Sequence, residues 1–226
     1  METHARLLRV IALFEDLSKE ELAHLARLCS ISRYDKHVQI IGQEDRTDDV
    51  FFVLEGSVRI SSYSPSGREI TYNDVGLGGL FGEFAAVDGL PRSSSVVTLS
   101  TCVVARMTAP EFTALLQSNG RVAFRLLEVL VAKLRAMSER VFDVSALGLR
   151  ERVRKELLQL ATGGASTRGG LLIKPAPTHY EIASRIGSHR EAVSREFSRL
   201  ESEGIVEVRR REIRILDLVR LERLGD

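Results

Sequence analysis

The stretch FGEFAAVDGLPRSSSV, at residues 81–96, combines residue types that suit a small anionic ligand. Gly82 and Glu83 can open a short helix with unpaired N–H groups, and a glycine lets a ligand approach the backbone closely. Arg92 adds a planar positive fork suited to phosphate, Glu83 can accept from a sugar hydroxyl, and Ser93 can donate to phosphate or to a base. A ligand that carries a phosphate and a hydroxyl would satisfy the whole set. The alternative is a Glu83–Arg92 ion pair that closes a loop.

A second set of polar side chains, near the C-terminus, has the spacing of a helix that reads DNA. Arg190, Glu191 and Arg195 fall in the first two turns of a predicted helix, the part that a recognition helix inserts into the major groove. Arginine can bond O6 and N7 of guanine, and glutamate can accept from N4 of cytosine, so these side chains can discriminate between bases. The alternatives are that Glu191 only closes a capping box and that the arginines form a solvated helix face.

Further residues in this part of the chain are expected to contact the DNA backbone. They lie near predicted helix N-termini or at the tip of a predicted wing, where they position a protein on DNA without reading sequence. They are Thr178, Tyr180, His189, Arg209, Arg210 and Arg211.

The hydrophobic pattern predicts the elements that position the first set. Between about residues 31 and 107, short β-rich runs alternate with turn-forming stretches, which predicts an antiparallel roll, sandwich or barrel. The runs are 38–41, 50–54, 58–61, 70–72, 95–99 and 102–106. A capping box at Ser18 predicts one flanking helix, and Thr108 and Glu111 on either side of Pro110 predict the start of another.

The second set requires a different scaffold. Capping boxes at Thr178 and Ser188 predict two helices that meet at Gly187, the tight turn of a helix-turn-helix. A two-stranded wing is expected over residues 205–208 and 212–216. Upstream, we expect a short helix over 149–161 and a flexible loop over 162–170.

Apolar residues at alternating steps of three and four mark a long central helix. They form an a/d seam nearly three heptads long, made of Leu127, Leu130, Leu134, Met137, Val141 and Val144. Because charged residues cover the other faces, we expect this helix to dimerise in parallel. The alternative is a helix packed on its own domain. Gly148 ends the run as a hinge or helix stop.

Composition narrows the class of protein. The chain has 226 residues, 44% of them apolar, which is enough for two modest domains. It has no apolar run near the roughly 18 residues of a membrane span and no signal-peptide pattern, so we expect a cytoplasmic protein without membrane contact. The two cysteines have no close Cys or His partner, so we expect neither disulfides nor a metal cluster. From Ala146 onward, 16 Lys and Arg stand against 12 Asp and Glu, which favours an anionic partner for the C-terminal part.

The two sets together resemble a known family. The pattern of FGE, seven residues and then PR followed by small hydroxyl residues is similar to the phosphate-binding cassette of cyclic-nucleotide-binding domains. With the β-rich region, the long helix and RE(x)3R on a winged helix-turn-helix, almost the whole chain resembles the cyclic AMP receptor protein and FNR (Crp-Fnr) family of bacterial transcription regulators. That resemblance implies an α+β fold: an N-terminal antiparallel β-roll that binds a cyclic nucleotide, a long dimerisation helix and a C-terminal winged helix-turn-helix. The implied domains are 1–118, 119–147 and 148–226.

The resemblance also assigns roles within the cassette. Gly82 and Glu83 would hold the phosphate and the ribose 2′-hydroxyl, Arg92 would pair with the cyclic phosphate, and Ser93 would complete the cradle. In the family, a Thr-Ser pair on the central helix reaches the purine, whereas this chain has Met137 and Ser138. Because methionine cannot donate a useful hydrogen bond to a purine, cyclic GMP joins cyclic AMP as an expected effector. The full set of expected ligand contacts is Gly82, Glu83, Phe84, Arg92, Ser93, Lys133, Met137 and Ser138.

The implied function is allosteric gene regulation. We expect a homodimer that binds a TGTGA-like palindrome in double-stranded DNA, is activated by cyclic AMP or cyclic GMP, and works as an activator in contact with RNA polymerase. No cofactor other than this allosteric ligand is expected, and no iron-sulfur or haem site is indicated. One alternative is a ligand-independent or differently triggered DNA-binding regulator of the same fold. A nucleotide-regulated enzyme is the remote alternative, since no stretch is left for a catalytic domain and the five histidines form no constellation with a nucleophile or metal spacing.

Overall fold

The computed structural model describes residues 6–162, 165–167 and 170–223. Contacts divide the chain into two compact units, Met1–Leu134 and Arg135–Asp226. The fold is α+β, as predicted: a β-roll with flanking helices, one long helix and a C-terminal winged helix-turn-helix. The finer domain boundaries at residues 118 and 147 stay a prediction.

The first unit contains two antiparallel sheets. Their strands are β1 Ser30–Tyr34, β2 Gln39–Ile41, β3 Val50–Glu55, β4 Val58–Tyr63, β5 Glu69–Val75, β6 Leu80–Phe81, β7 Ser95–Thr98 and β8 Cys102–Met107. One sheet has the order β1-β8-β3-β6 and the other β2-β7-β4-β5. Each of the six predicted β-rich runs coincides with a strand. The specific strands β1 and β6 were not predicted.

Strand β3 shows why this unit folds as a roll with helices on one side. Its residues 50–54 are all buried, and because side chains alternate across a strand, they supply two cores. Phe52 packs in a cluster with the flanking helices, where its ring lies 5.0 Å from that of Phe14 and 6.3 Å from that of Phe112. Phe51 faces the space between the sheets and stacks on Phe81 at 5.1 Å.

Helices flank the roll as the capping boxes predict. They are a 3-10 turn at Ala12–Phe14, α1 Lys19–Leu28, α2 Glu83–Asp88 and α3 Ala109–Ser118. The boxes at Ser18–Glu21 and Thr108–Glu111 are both formed, with reciprocal side-chain and backbone hydrogen bonds. These bonds satisfy N–H groups that a helix start otherwise leaves unpaired.

The central helix α4, Gly120–Ala146, is continuous over 27 residues. Its first turns bury Val122 and Leu126, and Leu130 packs against the same core of the first unit. Leu130 is therefore partly buried in its own unit, as the alternative of a helix packed on its own domain expects here, and the parallel seam stays a prediction. Leu130 follows Leu126 by four residues, so it shares the inward face of the helix. The other five seam residues are exposed, as are Phe124 and Val131: Leu127, Leu134, Met137, Val141 and Val144.

The second unit holds the helix-turn-helix and an antiparallel sheet. Its helices are α5 Leu149–Thr162, α6 His179–Ile186, α7 Arg190–Ser202 and α8 Leu218–Glu222, and its strands are β9 Ala165–Thr167, β10 Gly170–Ile173, β11 Val206–Arg209 and β12 Glu212–Ile215. The sheet order is β11-β12-β10-β9, so the predicted two-stranded wing is half of a larger sheet. Within the predicted flexible loop 162–170, residues 165–167 and Gly170 belong to strands, and 163, 164, 168 and 169 lie outside the described residues. β10 is held by β12, a long-range pairing that local composition does not reveal.

Two kinds of feature are absent from the described residues. None of the helices in the described ranges is long and apolar enough to cross a bilayer. The same part of the chain has no group of three or more His, Cys, Asp or Glu side chains arranged to hold a metal ion.

Candidate functional site

The candidate ligand cassette begins at Gly82, between β6 and α2. Its φ of +83° lies in the left-handed region that favours glycine. A Cβ at this position would lie 2.8 Å from Nη1 of Arg92 and 2.9 Å from the carbonyl oxygen of Asp49. The turn therefore needs glycine for both its backbone conformation and the close approach of Arg92.

Arg92 is the best-anchored side chain of the cassette and is only 3% exposed. Its Nε donates to Oγ1 of Thr47 at 2.9 Å, Nη1 to the carbonyl oxygen of Gly82 at 2.7 Å, and Nη2 to that of Asp49 at 2.8 Å. Burial lowers the pKa of this guanidinium, and the carboxylate of Asp49 is the first of several that act in the opposite direction. The group stays charged, because arginine does not lose its proton in proteins.

The loop over residues 42–49 fixes Arg92 from the other side, which the sequence interpretation missed. The backbone N–H of Arg92 donates to the Asp45 carbonyl, and the N–H of Glu44 donates to the Arg92 carbonyl, both at 2.9 Å. Thr47 and Asp49 belong to the same loop. The available signal was a run without apolar side chains between two β-rich runs, GQEDRTDD, in which four of the eight residues are acidic.

Glu83 is buried at the first position of α2 and pairs with the central helix. Nζ of Lys133 lies 2.6 Å from its Oε1, and the Glu83 side chain is 4% exposed. The alternative of a Glu83–Arg92 ion pair is wrong, because within the described ranges Glu83 pairs with Lys133 and Arg92 with carbonyl and hydroxyl oxygens. The structure thus brings together four of the predicted ligand residues: Gly82, Glu83, Arg92 and Lys133.

The remaining predicted ligand residues are less enclosed. Phe84 is exposed, and Nζ of Lys133 lies 6.0 Å from its ring centroid, at the outer limit of a cation–π contact. Ser93, beside Arg92, is also exposed. Met137 and Ser138 lie on exposed turns of α4 that belong to the second unit. Contact of these residues with a ligand stays a prediction.

The helix-turn-helix is closed by a glycine turn. Thr178 and Glu181 form the predicted capping box at the start of α6. At the other end Gly187 has φ +65°, and its N–H and that of Ser188 both donate to the carbonyl of Ala183. The predicted capping box at Ser188 is wrong: His189 is the N-cap of α7, without a side-chain cap bond. Because the backbone N–H of Ser188 bonds to the end of α6, α7 begins one residue later than predicted.

The three predicted base-reading residues share the first turns of α7 and point outward. Arg190, Glu191 and Arg195 are all exposed. Arg195 also lines a groove of about 660 Å³ between α7 and the start of α5. On the same helix, Arg199 holds the buried Glu196 at 2.6 Å, which orients the middle of α7. No side-chain hydrogen bond or ion pair ties down the three residues within the described ranges, so they are available to a partner.

His179 was missed by the sequence interpretation, although its neighbours Thr178 and Tyr180 were named. Its ring lies 4.6 Å from that of the buried Phe197, and its Nδ1 is 2.9 Å from Oγ of Ser194 on α7. Burial, and secondly the charge of Arg190, lower the pKa of His179. This residue joins α6 to the face of α7 that packs inside. Thr178, Tyr180 and His189 are exposed, as backbone contacts require.

The wing carries its three arginines at a two-residue turn between β11 and β12. Arg209 is held by Glu207, with Nη2 2.7 Å from Oε1. Arg210 and Arg211 form the turn, and Arg211 has φ +60°. All three are exposed. For the last two, the described part of the chain supplies no ion pair, so their charge is open to an anionic partner.

Comparison with known proteins matches both units. The family profile of the cyclic nucleotide-binding domain matches residues 31–119, and that of the Crp-like helix-turn-helix domain matches residues 151–224. The chain is 30% identical over 198 residues to the cAMP-activated global transcriptional regulator Vfr of Pseudomonas aeruginosa, a match that covers 84% of this chain and 92% of the regulator. It is 26% identical over 212 residues to the CRP-like cAMP-activated global transcriptional regulator of Mycobacterium tuberculosis, covering 93% and 95%.

A solved structure agrees with these relatives. The fold is similar to that of a CRP-family transcriptional regulator from Thermus thermophilus, with a TM-score of 0.71 and 26% identity over 86% of this chain and 96% of that structure.

Proposed function

The chain belongs to the Crp-Fnr family of bacterial transcription regulators, and we propose that it is a homodimeric, cyclic-nucleotide-responsive activator that binds a TGTGA-like palindrome. Cyclic AMP is the favoured effector and cyclic GMP the second candidate. RNA polymerase is the expected partner at the promoter, and the cytoplasm the expected location. The family consists of regulators rather than enzymes.

One observation carries this proposal: the chain joins a buried arginine and glutamate that suit a nucleotide to a helix whose exposed side chains suit base reading. In the cassette, the three bonds of Arg92 use three of its five N–H groups and leave two for an oxyanion. On α7, Arg190, Glu191 and Arg195 have no competing partner within the described residues. Each well-matched pair with a base contributes about 1 to 3 kcal/mol of discrimination.

Dimerisation would follow from the exposed apolar face of the central helix. Leu134 is 67% exposed and Val141 64%, which is costly for large apolar side chains in water. Met137 takes the seam position between them, and Ser138 follows it at the adjacent e position, which borders the partner helix in a parallel pair. That position supports the role implied by the family, in which this serine reaches a ligand across the helix pair. A two-fold symmetric dimer would in turn require a palindromic operator.

Nucleotide would act by changing the pairing of Glu83. The ribose hydroxyl of a nucleotide would offer this buried carboxylate a second partner beside Lys133, which lies on the central helix. Ligand binding would therefore change the forces on that helix and shift the population toward the DNA-binding arrangement.

One observation favours the second candidate, a regulator of the same fold that needs no nucleotide. Arg92 and Glu83 already have protein partners, so the cassette is stable as it stands. In that case the cassette would be structural, and DNA binding would be insensitive to nucleotides.

A fluorescence anisotropy titration separates the two candidates. A labelled TGTGA-palindrome duplex and a scrambled duplex of equal length are titrated with the protein alone, with cyclic AMP and with cyclic GMP. The proposal expects the palindrome to bind at least tenfold more tightly when one nucleotide is present, with little change for the scrambled duplex. Equal palindrome affinity in all three conditions would favour the nucleotide-independent regulator.

A further inference from the structure

The turn of the helix-turn-helix is held by two arginines from outside it. Nη2 of Arg140, near the end of the central helix, donates to the carbonyl of Ser184 at 3.2 Å. Nη1 of Arg152, on α5, lies 2.8 Å from the carbonyl oxygen of Ile186 and 3.5 Å from that of Gly187. All three carbonyls belong to the last turn of α6 or to the glycine that ends it.

The end of the central helix is fixed at the same place by an ion pair, and it lies close to the glycine turn. Nζ of Lys155 on α5 lies 2.7 and 2.8 Å from the two carboxylate oxygens of Asp143. A Cβ added at Gly187 would lie 3.3 Å from a methyl group of Val144. The last two turns of the central helix therefore lie directly against the turn that precedes the recognition helix.

Helix ends explain why cationic side chains stabilise this arrangement. The last carbonyls of a helix have no partner within the helix, and they carry the negative end of its dipole. Arginine suits this position, because its charge favours the dipole and its fixed N–H groups reach backbone oxygens. The α6 turn thus has its position set by α4 and α5 as well as by its own glycine.

We propose that Arg140 and Arg152 form a carbonyl clamp, in which Arg140 is the positioning residue that transmits movement of the central helix to the recognition helix. This inference rests on the proposed function, since it concerns how a nucleotide signal reaches α7. Because α7 begins three residues after Gly187, a displacement of the clamped turn displaces Arg190 and Arg195 as well. Without Arg140, the central helix would respond to nucleotide while the recognition helix followed it less closely.

The test compares Arg140→Ala with two other variants of the full-length protein. Arg140→Lys keeps a cation that can donate one bond to Ser184. Arg135→Ala is the matched control, because it removes an exposed arginine from the same helix, one that makes no side-chain hydrogen bond or ion pair within the described residues. For each, the operator dissociation constant is measured without nucleotide and at saturation, and their ratio is the coupling factor. Nucleotide affinity without DNA and thermal unfolding are measured in parallel.

We expect Arg140→Ala to lower the coupling factor about tenfold, which corresponds to about 1.4 kcal/mol of lost coupling free energy. If the wild-type coupling factor is less than ten, the variant should lower it to one. Nucleotide affinity without DNA should stay unchanged, and Arg140→Lys should keep most of the coupling. Arg135→Ala should behave as wild type.

Two results would overturn the clamp. One is a wild-type coupling factor in a folded Arg140→Ala protein. The other result applies if Arg140→Ala does not fold. In that case the clamp is overturned if the coupling factor of Arg140→Lys is lower than that of Arg135→Ala by tenfold or more. If instead the wild-type protein shows no coupling, the proposed function itself fails, and that result is distinct from failure of the clamp alone.

Discussion

Replacing Arg92 should impair both the cassette and its ligand binding, and the two losses can be measured separately. The guanidinium satisfies the buried carbonyls of Gly82 and Asp49 and the hydroxyl of Thr47. A buried polar group left unpaired costs about 1 to 3 kcal/mol, so the two carbonyls predict a loss of about 2 to 6 kcal/mol in the stability of the first unit. The loop over residues 42–49 should become easier to cleave by protease, because the guanidinium also holds two of its residues.

Nucleotide binding should fall further than stability alone explains. A phosphate left without its cation in a partly dry site costs about 3 to 5 kcal/mol, which is more than a hundredfold in affinity. We expect this loss in Arg92→Gln, which keeps a polar side chain but no charge. Arg92→Lys should lose most of it too, since a single ammonium group cannot replace a fork that reaches three acceptors.

The assay is calorimetric titration with cyclic AMP and cyclic GMP below the unfolding temperature of each variant, with unfolding followed by circular dichroism. Arg59→Gln is the matched control, because it removes another arginine of the roll, one that pairs with Asp74 at 2.9 Å outside the cassette. Whatever stability it loses with this pair, it should keep its nucleotide affinity. If folded Arg92→Gln bound nucleotide within threefold of wild type, the assignment of the cassette would be refuted.

Three further predictions concern the second unit and the central helix. Arg190→Ala should lose about 1 to 3 kcal/mol of binding free energy on the operator and relax specificity at one base position. Arg210→Ala should weaken binding to all DNA alike and reduce the slope of log affinity against log salt concentration by about one. Equal losses on operator and random duplexes for both variants would contradict this division. His179→Gln should flatten the pH dependence of stability, as thermal unfolding at pH 7.5 and 5.5 would report. Because the pKa of His179 is lowered in the folded chain, the unfolded chain binds the imidazole proton near pH 6.5 and the folded chain only at lower pH. Wild-type stability therefore falls as the pH drops through that range. Leu134→Glu should convert a dimer to monomers in sedimentation equilibrium, and a dimer that persists would exclude the seam.

Local patterns were sufficient for the elements that depend on local physics. The boxes at Thr178 and Thr108 are formed, because a capping box involves residues only three positions apart. The β-rich runs are strands because their apolar residues are buried in two cores, one shared with the flanking helices and one between the two sheets. The winged helix-turn-helix was predictable for the same reason, from two short helices around a glycine.

Features that depend on distant contacts were not predictable from local pattern. Two of the three side-chain partners of Arg92, Thr47 and Asp49, lie more than forty positions away in the sequence. β10 has little of the usual strand signal and is held by β12. Leu130 fits the a/d spacing as well as its neighbours do, and only the tertiary structure shows that it faces its own core.

The same difference between local and distant contacts applies to the site residues. The sequence analysis named Glu83 and Lys133 separately, and the structure joins them in one partly buried ion pair that links the cassette to the central helix. The sequence analysis named Thr178 and Tyr180 as contacts to the DNA backbone. It missed His179 between them, because the partners of His179 lie on the next helix. Residue type predicted which chemistry was available, but not which side chains already had partners.

The most direct test of the account is calorimetric titration of the purified protein with cyclic AMP and with cyclic GMP, repeated in the presence of a TGTGA-palindrome duplex. Reciprocity of linkage requires that a nucleotide which strengthens operator binding is itself bound more tightly when the operator is present. The account predicts that one nucleotide binds and that the duplex increases its affinity. If neither nucleotide bound, with or without the duplex, the cassette would have no cyclic-nucleotide ligand and the central claim would be wrong.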